Sequence, residues 1–196
     1  MLPASDIARV PHRAAPSASV AAEANGSGLT SEAAFGDIWS AHHDAIFGYL
    51  ASRVGAQNAE DIAVATFEAA LKTRKSYDPA KSGGDIKPWL FGIATRQLSR
   101  HRSAERRWLL QSGAMNRRAS HSTDTSIDAI DRRGALALAL QSLPRKLRDA
   151  FLLHVLAELE YSEVASALDI PIGTVRSRIN RARTALAMQL DGDDDE

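Results

Sequence analysis

The chain has 196 residues, 44% of them hydrophobic, which is enough to bury one modest core or two small ones. Basic and acidic residues number 24 each, so the formal charge is zero, and the absence of cysteine excludes disulfides, thiolate metal sites and a catalytic thiol. No apolar run reaches the roughly 18 residues that span a bilayer, and no basic segment followed by a hydrophobic one opens the chain. We therefore expect a cytoplasmic protein without membrane insertion.

The first helix is predicted to follow a leader of low complexity. Residues 1–29 are rich in Ala, Ser, Pro and Gly and have no sustained hydrophobic period, so we expect this leader to be disordered. Thr30 or Ser31 can cap the helix that follows, and Gly55 is expected to end it. Its apolar residues recur at helical spacing: Phe35, Ile38, Trp39, Ile46, Tyr49 and Leu50.

A second helix is predicted to start with Asn58 as its cap. Glu60 and Asp61 would then lie in its first turn, where the helix dipole favours negative charge, so both acids can be explained as capping charges. The apolar side is predicted to contain Ile62, Ala65, Phe67, Ala69 and Leu71.

The third helix is predicted to be basic and to follow a loop. Pro79, Gly83 and Gly84 predict a loop over residues 77–87, and Pro88 suits the first helical turn after it. From residue 96 to residue 118 there are seven arginines and one acid, so a salt-bridged surface helix is the weaker explanation. Cations beside exposed aromatic rings suit single-stranded DNA, in which phosphates and unstacked bases are both available. The candidate residues are Tyr77, Lys87, Trp89, Arg96, Arg100, His101 and Arg107.

A polar stretch without a period, residues 112–127, predicts a flexible linker. Two more helices are expected after it, separated at Pro144. Their apolar faces would contain Ile130, Leu136, Leu140 and Leu143 in the first, and Leu147, Phe151, Leu152 and Val155 in the second. The chain ends in DGDDDE, residues 191–196, which we expect to be a solvated acidic tail.

Residues 161–183 indicate two short helices separated by a tight turn. Tyr161, Val164, Ala165 and Leu168 are spaced by three, four and seven residues and would share one buried face of the first helix. Leu168 ends that helix, Asp169 is expected in the left-handed conformation, and Pro171 blocks continuation.

The second of these helices is expected to start at Gly173-Thr174 and to bury Val175, Ile179, Ala182 and Leu186. Its other side is polar, and no carboxylate occurs from residue 173 to residue 190. Arginine pairs with guanine edges or phosphates and asparagine with adenine, so this face suits a DNA major groove better than plain solvent. The candidate DNA contacts are Thr174, Arg176, Ser177, Arg178, Asn180, Arg181 and Arg183.

The motifs resemble a known family. The run PIGTVRSRINRAR, residues 171–183, is very similar to the promoter-reading helix of extracytoplasmic-function sigma factors, which are specificity subunits of bacterial RNA polymerase. The run from Asp78-Pro79 to PWLFGIA resembles their segment that opens the minus 10 element, and LPRKLRDAFLLHVLAEL, residues 143–159, resembles sigma region four. The resemblance covers residues 32–188, with both halves in the expected order.

The resemblance implies an all-α protein with two small helical domains joined by a flexible linker. Residues 30–111 would form the region 2 domain, which binds polymerase and the minus 10 strand, and residues 128–190 the region 4 helix-turn-helix domain, which reads the minus 35 duplex. Glu160 stands where the family often has a capping Ser, so the first motif helix is expected to be frayed or to start at Tyr161-Ser162.

The resemblance also implies partners. AEDIAVATFEAALK, residues 59–72, resembles the helix that docks on the largest polymerase subunit, and Val64 replaces the family's usual glutamine. The implied partners are core RNA polymerase, promoter DNA and an anti-sigma protein. The implied polymerase contacts are Glu60, Asp61, Val64 and Phe67.

Two other functions fit parts of the sequence less well. A regulator that binds duplex operators without polymerase would usually need a dimer, whereas the upstream half supplies a second basic surface instead. For an enzyme, the cluster His42-His43-Asp44 would have to act together, but adjacent helical residues point about 100° apart. There is also no Gly-rich phosphate loop and no nucleophile motif. We therefore expect neither catalysis nor a cofactor.

Overall fold

A computed structural model describes residues 32–81, 84–111 and 127–191. In these ranges the chain forms α-helices and two short 3-10 turns, Arg74–Ser76 and Pro79–Lys81, and no strand, so the all-α prediction is confirmed. The helices are α1 (Glu32–Val54), α2 (Ala56–Thr73), α3 (Lys87–Gln111), α4 (Ile127–Ser142), α5 (Arg145–Val155), α6 (Tyr161–Leu168) and α7 (Ile172–Asp191). None of the helices so described is long and apolar enough to cross a membrane.

Several predictions fall on residues that lie outside the described ranges. These are the leader (1–29), the two possible caps Thr30 and Ser31, residues 112–126 of the linker, and residues 192–196 of the tail. The side chain of Ile130 in α4 is also outside the description.

The first half of the molecule is built on α1, α2 and α3. Gly55 alone separates α1 from α2 and has a φ of 78°, a left-handed conformation that glycine adopts without strain. Because the turn is so short, α1 and α2 pack against each other, and α3 packs against both. Their core contains Ile46, Leu50, Phe67, Leu90 and Leu98, all buried.

Helix α2 differs from the prediction at its start and on its apolar face. It begins at Ala56, and Asn58 caps nothing at this end, since its side-chain amide donates to the carbonyl oxygen of Val54 at 3.3 Å. Leu71 is 38% exposed, because at about 100° per residue it lies beyond the edge of the face on which the buried residues of α2 are centred. The buried residues are Ala59, Ile62, Ala63, Thr66, Phe67 and Ala70.

The second half consists of α4 to α7, with α7 packed against α4, α5 and α6. The stripe predicted for α7 is confirmed, since Val175, Ile179, Ala182 and Leu186 are all buried. Two residues predicted for the apolar faces upstream, Leu136 and Val155, are instead exposed. The expected break at Pro144 is confirmed, because this residue directly precedes α5.

The two halves pack on each other, which the picture of two separate domains did not include. Helix α3 contacts α6, and one continuous hydrophobic cluster contains residues of both halves, among them Leu90, Phe91, Val164 and Ala167. The helices come closest at Gly92: a Cβ atom on this residue would lie 2.8 Å from the carbonyl oxygen of Ala167.

Candidate nucleic-acid interface

The turn between α6 and α7 has the geometry that the sequence predicts. Asp169 follows α6 in the left-handed conformation, with φ and ψ both 53°, and its N–H donates to the carbonyl oxygen of Ser166 at 3.3 Å. Pro171 precedes α7, and its carbonyl oxygen accepts from the N–H groups of Thr174 and Val175. Helix α7 starts at Ile172, one residue earlier than predicted.

Helix α6 has an ordered start in spite of Glu160. It begins at Tyr161, which is the shifted start that the sequence allowed, and fraying is not seen. The Glu163 carboxylate accepts from the N–H of Glu160 at 2.7 Å, and the Glu160 carboxylate accepts from the N–H of Glu163, so the two acids form a reciprocal capping box in which Glu160 takes the place of the Ser.

Helix α7 presents a basic face to solvent. Because the apolar stripe is buried, its other residues point outward: Arg176, Ser177, Asn180, Arg181 and Arg183 are exposed, and Thr174 and Arg178 are half-buried. Within the described part of the chain, none of the arginines at 176, 178, 181 and 183 has a carboxylate within ion-pair distance. This is the arrangement that a helix needs to insert cations and amides into a major groove.

The second predicted DNA surface lies on α3 and the segment before it. Arg96, Arg100 and Arg107 are exposed, whereas Lys87 and His101 are half-buried. The aromatic residues are less open than expected, because Tyr77 and Trp89 are half-buried against each other with ring centroids 5.3 Å apart.

A small cavity of 130 Å³ lies beside Trp89 and joins the two halves. The first half contributes Ser76, Asp78, Pro88, Trp89, Gly92 and Arg96, and α6 contributes Ser166 and Ala167. Two residues of the predicted minus 10 surface, the half-buried Trp89 and the exposed Arg96, therefore line this cavity together with α6.

The predicted polymerase contacts on α2 separate into exposed and buried residues. Glu60, Asp61 and Val64 are exposed. Because α2 begins at Ala56, Glu60 and Asp61 lie beyond its first turn, so the prediction that they are capping charges is wrong. Phe67 is only 1% exposed and packs on Trp39, with ring centroids 4.5 Å apart. Its direct role is therefore to fix α2 in the core.

Charged residues that the sequence did not single out lie between the halves. Arg53 at the end of α1 forms an ion pair with Asp149 of α5 at 2.5 Å, with side chains 0% and 11% exposed. Arg102 donates to the carbonyl oxygen of Arg53 at 2.7 Å. Asp149 occupies a buried helix position beside Ala150 and Leu152. In the sequence, the one signal for a buried ion pair here was a single acid among the apolar residues of this helix.

Burial and this charge cluster shift the pKa values of Arg102, Arg148 and Tyr49, and that of Arg148 is lowered. Burial, followed by the positive charges of Arg53, Arg148 and Arg145, lowers the pKa of Arg102 to about 10. Burial, followed by the charge of Asp149, raises the pKa of Tyr49 to about 12, although the hydroxyl lies 3.2 Å from the Thr95 hydroxyl.

No cluster of three or more His, Asp or Glu suited to a metal occurs among the residues that the structure describes. In the cluster considered for catalysis, His43 is near Asp44 and Glu60, at 3.4 and 3.5 Å, and stacks on Trp39. His42 is half-buried, and burial lowers its pKa.

Two family models match the chain. The one described as Sigma-70 region 2 matches residues 38–107, and the one described as Sigma-70, region 4 matches residues 133–186. The first match contains the proposed docking and minus 10 residues, and the second contains the whole turn and the basic face of α7.

Curated relatives match over much of the chain. The ECF RNA polymerase sigma-E factor of Escherichia coli (strain K12) is 30% identical over 131 residues, which cover 61% of this chain and 68% of the relative. The ECF RNA polymerase sigma factor SigE of Mycolicibacterium smegmatis is 32% identical over 150 residues, which cover 74% of this chain and 57% of that relative.

Solved structures share the fold. CnrH in complex with the cytosolic domain of CnrY is 23% identical and superposes with a TM-score of 0.61 over 89% of this chain and 96% of its own. The sigma factor RpoE in complex with the anti-sigma factor NepR from Bartonella quintana is 25% identical, with a TM-score of 0.64 over 80% of this chain and 96% of its own.

Proposed function

Since the chain belongs to the extracytoplasmic-function family of RNA polymerase sigma factors, we propose that it brings core polymerase to specific promoters and helps to open the minus 10 region. Sigma factors are initiation factors that regulate transcription. In this role the chain catalyses no reaction itself, and it acts together with polymerase in the cytoplasm. Operator binding without polymerase is not favoured, because both halves of the chain match sigma regions.

The observation that carries the proposal is the basic face of α7. Its buried stripe fixes which side faces outward, and that side has arginines without acidic partners among the described residues. In the proposal, Arg176 and Arg181 contact base edges or phosphates of the minus 35 duplex, and Asn180 lies between them as a candidate for adenine.

The minus 10 strand is assigned to α3. Exposed Arg96, Arg100 and Arg107 would follow its phosphates, and the pair of Tyr77 and Trp89 would offer a ring face to an unstacked base. Lys87 and His101 would contribute to the edges of this surface.

The polymerase surface is assigned to the exposed residues of α2, namely Glu60, Asp61 and Val64. The buried Phe67 packs on Trp39 and so fixes the position of the helix that carries these residues. An anti-sigma partner is also part of the proposal, since the similar RpoE of Bartonella quintana is found in complex with the anti-sigma factor NepR.

The test is run-off transcription with purified core polymerase and a promoter selected for this chain. Arg176→Ala and Arg181→Ala are each expected to cost about 1–3 kcal/mol of promoter discrimination, because each removes a donor to a base edge. Lys146→Ala is the matched control, since it removes an exposed cation of the same half that is not on α7. Initiation that is indifferent to both arginine changes would refute the assignment of α7.

A further inference from the structure

Four arginines are gathered around a single carboxylate at the place where α1, α3 and α5 come together. Arg53 belongs to α1, Arg102 to α3, and Arg145 and Arg148 to α5. The carboxylate is that of Asp149, whose Oδ1 lies 2.5 Å from Nη2 of Arg53 and whose Oδ2 lies 3.7 Å from Nε of Arg145. We call these five residues the arginine cluster. Four positive charges therefore share one negative charge.

Two of the arginines are held by neutral groups. Among the described residues, neither Arg102 nor Arg148 has a carboxylate within ion-pair distance. Nη2 of Arg102 donates to the carbonyl oxygen of Arg53 at 2.7 Å, and Nη2 of Arg148 donates to the carbonyl oxygens of Gln141 and Leu143. These acceptors satisfy donors but do not compensate the charge, so the excess of cations has no purely structural explanation in these contacts.

The cluster also contains buried donors without an acceptor. The side chain of Arg53 is 0% exposed, and within the part of the chain that the structure describes its Nε and Nη1 have no hydrogen-bond partner. The same holds for the buried Nε of Arg148. In folded proteins buried donors are nearly always paired with a protein group, an ordered water or an ion. A guanidinium has only donors, so these nitrogens call for an acceptor that the chain itself does not provide.

The electrostatics of the cluster indicate the same excess of positive charge. Burial, followed by the charges of the neighbouring arginines, lowers the pKa of Arg102 to about 10, and burial followed by the charge of Arg53 lowers the pKa of Arg148. Asp149 acts in the opposite direction on both but does not offset the rest. Both guanidinium groups stay charged at neutral pH, and an anion bound beside them would favour their charged form.

We propose that the arginine cluster binds a small anion that carries a phosphate group. The planar guanidinium presents parallel N–H donors that match phosphate oxygens, which is why arginine is favoured at such sites. Arg145 is exposed, and Arg102 and Arg148 are half-buried, so an anion can reach these three from solvent. The buried Arg53 adds its positive charge at short range. A compact anion suits this partly covered position better than a nucleic-acid strand does.

The charge of the cluster favours a diphosphate group over a single phosphate. Four guanidinium groups and one carboxylate leave a large positive excess, which a diphosphate offsets more fully than a monophosphate or chloride. This group occurs in inorganic pyrophosphate and in nucleoside diphosphates, and the test distinguishes the two sources. The site includes none of the residues assigned to promoter DNA or to polymerase, so it can be tested separately from the proposed function.

The test is isothermal titration calorimetry of the full chain with pyrophosphate, inorganic phosphate and adenosine diphosphate, at an ionic strength kept constant with sodium chloride. We expect pyrophosphate to bind at a single site and more tightly than phosphate. Adenosine diphosphate that binds at least as tightly as pyrophosphate assigns the site to nucleotides, and weaker binding assigns it to inorganic phosphates. If none of the three binds, the proposal is overturned.

Arg102→Gln tests the cluster directly, because glutamine keeps a donor for the Arg53 carbonyl oxygen and removes the charge. It should weaken pyrophosphate binding about tenfold, which is the loss expected for one hydrogen bond to a charged group. Lys146→Gln is the matched control, since it removes an exposed cation of α5 that has no ion pair with Asp149, and it should leave the affinity unchanged. Equal affinities of the parent and both variants would mean that pyrophosphate binds elsewhere, which overturns the proposal.

Asp149→Asn should have the opposite effect on binding. It removes the negative charge that competes with the anion, so pyrophosphate should bind about tenfold more tightly. Without the anion its midpoint of thermal unfolding should be lower than that of the parent, because Arg53 is left buried without a counter-charge. At ten times its Kd, pyrophosphate should raise the midpoint of the parent by about 4 °C.

An affinity of Asp149→Asn equal to or below that of the parent would show that this carboxylate does not compete with the anion. If Asp149→Asn does not fold even with pyrophosphate present, the comparison of Arg102→Gln with Lys146→Gln decides the proposal.

Discussion

Single residues on α2 have separate tasks that the motif alone does not distinguish. Asp61 and Phe67 both match the docking motif, but Asp61 is exposed and Phe67 is buried among Trp39, Phe35 and His43. The motif therefore combines a contact residue with a residue that holds the contact in place.

Substitution of Phe67 should mainly change the stability of the protein, and substitution of Asp61 should mainly change its binding to polymerase. Phe67→Ala should lower the free energy of unfolding by about 3–5 kcal/mol, because it removes a large buried ring. Asp61→Ala should change it by less than about 0.5 kcal/mol and weaken binding to core polymerase. Urea unfolding and a polymerase pull-down measure the two effects. Weakened polymerase binding by a fully folded Phe67→Leu, with Asp61→Ala neutral, would reverse the assignment.

At the scale of the element, α7 and its turn could be predicted because their signals are local. The buried stripe repeats within one helix, and Asp169 and Pro171 mark the turn directly. The apolar faces of α2, α4 and α5 were predicted less well. Leu71, Leu136 and Val155 are apolar and near the expected face, but which side of these helices is covered depends on neighbours that are distant in sequence.

The left-handed residue between α6 and α7 gives a prediction for the turn. Asp169→Gly should raise the free energy of unfolding by about 0.5–1 kcal/mol, since glycine adopts this conformation without the Cβ penalty. Asp169→Val should lower it by about 1–2 kcal/mol, because a β-branched residue is strained there. Urea titration gives both values, and a stabilising Val would show that the turn does not hold this geometry in solution.

At the scale of the whole molecule, the sequence indicated the order of the two halves but not that they pack together. The contacts that join them involve residues without any motif, such as Arg53, Gly92 and Ala167. A glycine inside a helix, such as Gly92, and one charge in an apolar stripe, such as Asp149, can each have many causes. In this structure both are explained by the packing of the two halves on each other.

The shared hydrophobic cluster predicts that the halves unfold together. Differential scanning calorimetry of the parent should give one transition whose van't Hoff and calorimetric enthalpies agree. Gly92→Ala should separate it into two transitions, because the new Cβ pushes α6 away and each half then keeps only its own contacts. Gly48→Ala is the matched control, since a Cβ there meets nothing within 4 Å, and it should keep the single transition. Two transitions already in the parent would mean that the halves fold independently of their contact.

The contact of the Trp89 ring with the tilted ring of Tyr77 gives the protein a built-in optical probe. The indole lies at the wall shared by α3 and α6, so its emission colour and quenching should change whenever that wall is exposed to water or covered by a nucleobase. With Trp39 and Trp108 replaced by phenylalanine, the remaining indole would report on promoter melting in real time, without any attached dye.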